Sequence, residues 1–189
     1  QIPGIGQHNM ENALAAVAAS SAAGVSVEDA ATALRSFRGI YRRTQLVGEK
    51  NGISVIDDFA HNPAEIAAAI KACQSAGKRV LAWFQPHGYG PLRFMHEELA
   101  EKTARTLRPE DHFYMSEVYY AGGTVNKDIN SDVVINALQG KGKNAFLVPD
   151  KDNLPEFLKQ IASRGDIILL MGARDPNLGK FARKLFDML

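Results

Sequence analysis

The stretch Ile56-Asp57-Asp58-Phe59-Ala60-His61-Asn62-Pro63 constrains this chain more than any other. An apolar strand runs into two carboxylates and an imidazole and then directly into a helix start. Asn62 reads as a side-chain N-cap, Pro63 as the first helical residue and Glu65 as a reciprocal capping carboxylate three positions after the cap. Such a short strand-to-helix turn belongs to open α/β sheets, in which ligands bind in the crevice beyond the carboxyl ends of the strands. Asp58 and His61 are therefore expected to project into a site rather than a core. The competing reading is a turn that merely begins with two aspartates and leaves His61 solvated.

The same alternation runs on from Gly39. Segments 44–49 and 53–57 flank a Lys50-Asn51-Gly52 turn, a hairpin signal. A helix over 63–76 is followed by a strand over 79–84, a Gln85-Pro86-His87-Gly88-Tyr89-Gly90-Pro91 loop and a helix to about 107. Further strands are expected at 113–116, 145–148 and 167–170, with helices starting at Ser131, Leu154 and Leu178 and a loop over 119–127. This order implies an α/β fold, a Rossmann-like, mainly parallel sheet with helices on both faces and one antiparallel edge hairpin. Two helices precede it: an alanine-rich run to Ala23 closed by Gly24, and a second from Ser26 to near Phe37.

Composition removes several function classes. With 46% hydrophobic residues, 189 residues can bury the core of one or two domains. The 22 Lys and Arg balance 21 Asp and Glu, so no polyelectrolyte face invites nucleic acid. The single cysteine, Cys73, excludes an internal disulfide and a thiolate metal cluster, and its place in an alanine-rich helix suggests a buried inert thiol. That usage fits a reducing compartment. No signal peptide is recognisable, and apolar runs such as 167–171 are far too short to span a bilayer. The expectation is a cytoplasmic protein with no membrane or nucleic-acid partner.

Other candidates follow from spacing. His8 and Asn12 stand four apart near a helix N-terminus, where free N–H groups and the helix dipole favour an anion; otherwise His8, Asn9 and Asn12 simply cap and solvate the helix start. Parallel strands place their carboxyl ends together, so Asp58 and His61, His87, and Gly172-Ala173-Arg174-Asp175-Pro176 are expected on one side of the sheet. The Arg42-Arg43 pair is a candidate phosphate clamp or a solvated surface pair. Gly88-x-Gly90 falls short of the dinucleotide fingerprint, which argues against nicotinamide or flavin.

Four ordered motifs then resemble the Mur ligases, the ATP-dependent amide ligases of peptidoglycan precursor synthesis. They are Gly-x-His-Asn-x-x-Asn-Ala-Leu-Ala-Ala at 6–16, Phe-Arg-Gly-x-x-Arg-Arg at 37–43, Asp-Asp-Phe-Ala-His at 57–61 and Phe-Gln-Pro-His at 84–87. Phe84-Gln85-Pro86-His87 and Val118-Tyr119-Tyr120-Ala121-Gly122 are similar to the alanine-adding members, and 57–61 also to the member that reattaches tripeptide during recycling. The resemblance implies that residues 1–39 finish a central ATPase domain and that 40–189 form the C-terminal domain. It implies ATP and magnesium as cofactors, the metal ligands lying mainly outside this chain, and UDP-N-acetylmuramate plus an amino acid or peptide amine as partners.

Residue by residue, it implies that Asn12 contacts adenine with His8 and Asn9 nearby, that Arg43 sits against the phosphates, that Asp58 binds ribose and that His61 and His87 face the incoming amine. Two departures stand out. Family members usually carry a second histidine where this chain has Asn62, and alanine-adding members carry arginines where it has Gly88 and Pro91; Arg93 is the candidate substitute. The chain also lacks a Gly-x-x-x-x-Gly-Lys-Thr phosphate loop, so it is expected to be a fragment that is inactive alone. The alternative of another class is a nucleotide-binding or interaction module of the same fold without catalysis.

Overall fold

The computed structural model describes residues 6–189, the side chain of His8 excepted. Its elements are α1 (Gln7–Ala22), α2 (Val27–Ser36), β1 (Gln45–Lys50), β2 (Ile53–Asp58), α3 (Pro63–Gln74), β3 (Arg79–Phe84) and α4 (Tyr89–Thr106), followed by β4 (His112–Met115), α5 (Asp132–Gly140), β5 (Asn144–Leu147), α6 (Leu154–Ile161), β6 (Asp166–Met171) and α7 (Leu178–Met188). The expected elements are all present, most with boundaries within two residues of those read off the sequence; α4 starts three residues earlier, so Tyr89, Gly90 and Pro91 belong to the helix and not to the loop. β4, for instance, starts at His112 because that residue still pairs with Leu81 and Asn144 on its two sides.

The six strands among the described residues form one sheet in the order β1-β2-β6-β3-β4-β5. All neighbours are parallel except β1 and β2, whose hairpin closes through Asn51 and Gly52, both at positive φ as a two-residue turn requires. The middle strands β3 and β6 are buried along nearly their whole length, which is why they read as unbroken apolar runs. Alternation sorts their side chains between two cores. Val80, Ala82 and Phe84 with Ile167, Leu169 and Met171 meet Ile66 and Ile70 of α3, Leu92 and Leu99 of α4 and Leu138 of α5. Leu81, Trp83, Ile168 and Leu170 face Leu154 and Leu158 of α6 and Phe181 and Leu185 of α7.

β1 has a register shift between Leu46 and Gly48, and Gly48 is where the ring of Phe186 approaches: a Cβ there would lie 2.5 Å from it. Cys73, in the last turn of α3, is fully buried, and burial first and the charges of Asp58 and Asp111 next push its thiol well above the usual range. Helices α1 and α2 pack on each other and leave Met10, Leu14, Phe37 and Ile40 exposed. Among the described residues no helix is long and apolar enough to cross a membrane.

Candidate functional site at the strand ends

The carboxyl ends of β2, β6 and β3 meet in register, Asp58 and Phe84 both pairing with Met171. Beneath them lies a buried polar knot. Arg42, at φ 53°, sends Nε to both carboxylate oxygens of Asp57 at 3.1 and 2.9 Å and Nη2 to the carbonyl of Gly172 at 2.7 Å. Burial pushes the Asp57 carboxyl upward against the pull of Arg42, and the neighbouring Asp58 adds to the rise. Asp58 is only 6% exposed. Its Oδ2 accepts from the Thr44 amide at 2.6 Å and the Thr44 hydroxyl at 3.1 Å, and its Oδ1 accepts from the Ala60 amide at 2.7 Å. Of the Arg42-Arg43 pair, then, only Arg43 is left for a ligand; its guanidinium lies over the Phe59 ring, 5.5 Å from the centroid.

His61 and His87 stand across a cleft of about 350 Å³, their ring centroids 5.7 Å apart. α3 begins as expected, Asn62 Oδ1 accepting from the Ala64 and Glu65 amides, but Glu65 reaches back one residue further, to the amide of His61. His61 Nδ1 lies 3.1 Å from the Phe59 carbonyl and 3.0 Å from Glu65 Oε2. Both neighbours only accept, so Nδ1 is the donor and Nε2 is the ring nitrogen turned away from them. His87 is tied by its loop: the amides of Gly88 and Tyr119 donate to the carbonyls of Tyr119 and Pro86. Its Nδ1 is buried and has no hydrogen-bond partner among the described residues. Burial, then the charges of His61 and Arg174, holds His87 below its ordinary value, so the ring is neutral near pH 7.

The rest of this cleft is Asn62, Pro63, Ala64, Pro91, Phe94, Met95 and Glu98. Arg93 is not part of it; it turns to Asp128 and to the Asn126 carbonyl, 3.0 Å away. A second cleft, about 820 Å³, runs between the α1–α2 pair and the β1–β2 hairpin and is lined by Asn9, Asn12, Phe37, Arg43, Thr44 and Ile56 among others. Asn9, Asn12 and Arg43 are thus brought together, while Asp58 lies behind Thr44 rather than in the wall. The side chain of His8 lies outside the described residues. A volume of that size with a few polar groups on apolar walls suits a nucleoside. Among the described residues no group of three or more His, Cys, Asp or Glu could hold a metal ion.

The family model of the Mur ligase glutamate ligase domain matches residues 42–174. The chain belongs to the Mur ligase family. Two curated relatives, the UDP-N-acetylmuramate–L-alanine ligases of Acetivibrio thermocellus and Pelotomaculum thermopropionicum, are 38% and 40% identical to it, over 93% and 90% of this chain and 36% of each of those proteins. The crystal structure of UDP-N-acetylmuramate-alanine ligase MurC from Thermotoga maritima matches with a TM-score of 0.76 at 26% identity, over 98% of this chain and 38% of that one. The murein peptide ligase of Psychrobacter arcticus gives 0.60 at 28% identity, over 97% and 37%. This Mur ligase chain therefore spans little more than a third of the length of the relatives it matches.

Sequence reasoning about this Mur ligase missed the helix α4 wall. Pro91, Phe94, Met95 and Glu98 are spaced three and four apart, so one face of a helix that starts beside His87 carries them all. That spacing was the available signal.

Proposed function

We propose that this chain is the C-terminal part of an ATP-dependent, ADP-forming ligase that joins an amino acid, L-alanine first, to UDP-N-acetylmuramate in cytoplasmic peptidoglycan precursor synthesis. Residues 1–39 then finish the central ATPase domain and residues 40–189 form the C-terminal domain. The observation that carries this reading is the pair of imidazoles 5.7 Å apart at the ends of β2 and β3, in a chain whose curated relatives are alanine-adding ligases.

In this reading the larger cleft takes the nucleotide. Asn12 and Asn9 meet the adenine, Arg43 faces the phosphates, and Asp58 acts on the ribose edge through Thr44, which it holds in the cleft wall. Magnesium, when bound, neutralises phosphate oxygens; its ligands belong mainly to the remainder of the parent protein. At the smaller cleft the amine nitrogen attacks the carbonyl carbon of an acyl phosphate. The C–N bond forms as the C–O bond to phosphorus-bearing oxygen breaks, and inorganic phosphate leaves. Nε2 of His61, whose other nitrogen is engaged by Phe59 and Glu65, accepts the proton that the amine sheds. His87, neutral and walled by Pro91 and Met95, positions the amine.

The test is turnover by the full-length protein. With ATP, magnesium and UDP-N-acetylmuramate it should release phosphate and form a ligated product of the mass expected for L-alanine, while residues 1–189 alone should do neither. A second reading, ligation of a murein tripeptide, is favoured by Gly88 and Pro91 beside a cleft that, among the described residues, has no lysine or arginine in its lining. Tripeptide used in preference to every free amino acid would establish it. ATP binding without turnover on any amine would instead make the chain part of a non-catalytic nucleotide-binding module.

A further inference from the structure

Strands β2, β6 and β3 end on one line, since Met171 pairs with both Asp58 and Phe84. Three residues beyond those ends stand His61, Arg174 and His87. Because β6 lies between the other two strands, the loop that carries Arg174 leaves the sheet between the loops that carry the two imidazoles.

That loop is pinned on both sides of Arg174. Before it, the Gly172 amide donates to the Asp58 carbonyl at 3.3 Å, and the Gln85 amide donates to the Met171 carbonyl at 3.0 Å, so the strand end is tied to both neighbours. After it, the buried Asp175 accepts from Lys151 and from the Asn177 amide. Arg174 itself is exposed and makes no hydrogen bond or ion pair with a described residue, whereas Arg42, Arg79, Arg93 and Arg108 each engage an aspartate. A rigid loop that holds out an uncommitted guanidinium has done the ordering in advance of a ligand. Its charge is felt at His87, where it opposes protonation of the ring.

Among the described residues the cleft between the histidines has no lysine or arginine in its lining, and Glu98 is its one charged residue of fixed sign. An amine that brings a carboxylate into this crevice needs a cation at its mouth, and a planar guanidinium grips a carboxylate through two parallel hydrogen bonds. We propose that Arg174 binds the carboxylate of the incoming amino acid and thereby selects acceptors whose carboxylate stands next to the amine. This rests on the ligase reading given above.

The experiment uses the full-length protein with ATP and UDP-N-acetylmuramate saturating, and compares L-alanine with L-alaninamide, which keeps the amine and lacks the carboxylate. If another free amino acid proves the better acceptor, that amino acid and its carboxamide form the pair. Wild type should favour the acid by about tenfold or more in kcat/KM. Arg174→Gln should raise the KM for the acid by about tenfold or more, leave the KM for the amide and for ATP within about twofold, and so erase the preference; Arg174→Lys should keep part of it. Thermal midpoints should match wild type, because the guanidinium makes no internal bond. An acid-over-amide preference that survives in Arg174→Gln overturns the assignment. So does a raised KM for ATP in place of the amino acid, which would give the guanidinium to phosphate, and so does a wild type that prefers the amide or a peptide. A wild type that ligates no amine overturns the ligase reading and this proposal together.

Discussion

Arg42 donates from Nη2 to the carbonyl oxygen of Gly172 at 2.7 Å, across 130 residues of chain. With Nε on Asp57, the same guanidinium joins the segment before β1 to the ends of β2 and β6. The strand ends that carry the candidate site therefore depend on one buried ion pair. Removing one partner of such a pair strands the other charge, so Asp57→Ala should lower the unfolding free energy of this chain by about 3–5 kcal/mol. Urea denaturation with an unchanged m-value measures it, and a loss near zero would mean that Arg42 finds other partners.

His87→Ala in the full-length protein should impair use of the amine while leaving the KM for ATP within about twofold, since Asn9, Asn12 and Arg43 line a different cleft. Steady-state kinetics with each substrate varied in turn decides it. A variant equal to wild type with every amine would remove His87 from the crevice.

Asp58→Ala should weaken ATP and the fold together. The carboxylate organises Thr44, which lines the nucleotide cleft, and its loss leaves the Thr44 and Ala60 amides short of an acceptor. The expected rise in KM for ATP corresponds to about 1.5–3 kcal/mol, the usual strength of a hydrogen bond to a charged group. Asp58→Asn, which keeps an acceptor oxygen, should recover part of the stability. Unchanged ATP kinetics in a folded Asp58→Ala protein would confine Asp58 to the turn.

The α/β order, the hairpin and the site side of the sheet were legible because each rests on local chemistry: Asn51-Gly52 at positive φ, the Asn62 cap with Pro63, and buried runs in β3 and β6. The commitments of Arg42 and Asp58 were not. Both depend on Arg42 and Thr44 taking positive φ, at 53° and 46°, which no local signal demands of an arginine or a threonine. The position of Arg174 between the two histidines was hidden for another reason. A parallel strand buried on both faces does not state its neighbours in its own side-chain pattern, so the insertion of β6 between β2 and β3 appears only in the assembled sheet.

Mild acid should weaken the fold relative to neutral pH. Burial, followed by His61 and Arg174, holds His87 below its ordinary value; burial, followed by Arg79, does so for His112. The unfolded chain protonates these rings first. Their contribution to stability is therefore present above about pH 6.5 and is lost as pH falls through the folded values. Urea midpoints taken from about pH 7.5 down to 5.5 should decline, and the double variant His87→Gln, His112→Gln should flatten that decline. Midpoints independent of pH in wild type would contradict it.

Gly88 should resist replacement. It caps α4 at φ 73°, and a Cβ there would lie 3.2 Å from Pro91 Cδ. Gly88→Arg is expected to cost about 1–3 kcal/mol of backbone strain. Pro91→Arg, at an exposed helical position facing the cleft, should be accommodated and should improve L-alanine use relative to peptide amines. Thermal midpoints and kinetics of the two variants separate strain from function, and equal stability would show that the loop can re-form without glycine.

β6 comes after the other five described strands in chain order and yet lies inside the sheet, third in spatial order. On a ribosome, the β1–β2 hairpin and the β3–β4–β5 ladder emerge as two pieces that cannot be joined until residues 166–171 have been synthesised and threaded between them. Until then β2 and β3 each offer an open parallel edge to any other extended chain nearby. A chain truncated before residue 166 should thus yield a sticky polypeptide rather than a smaller folded domain.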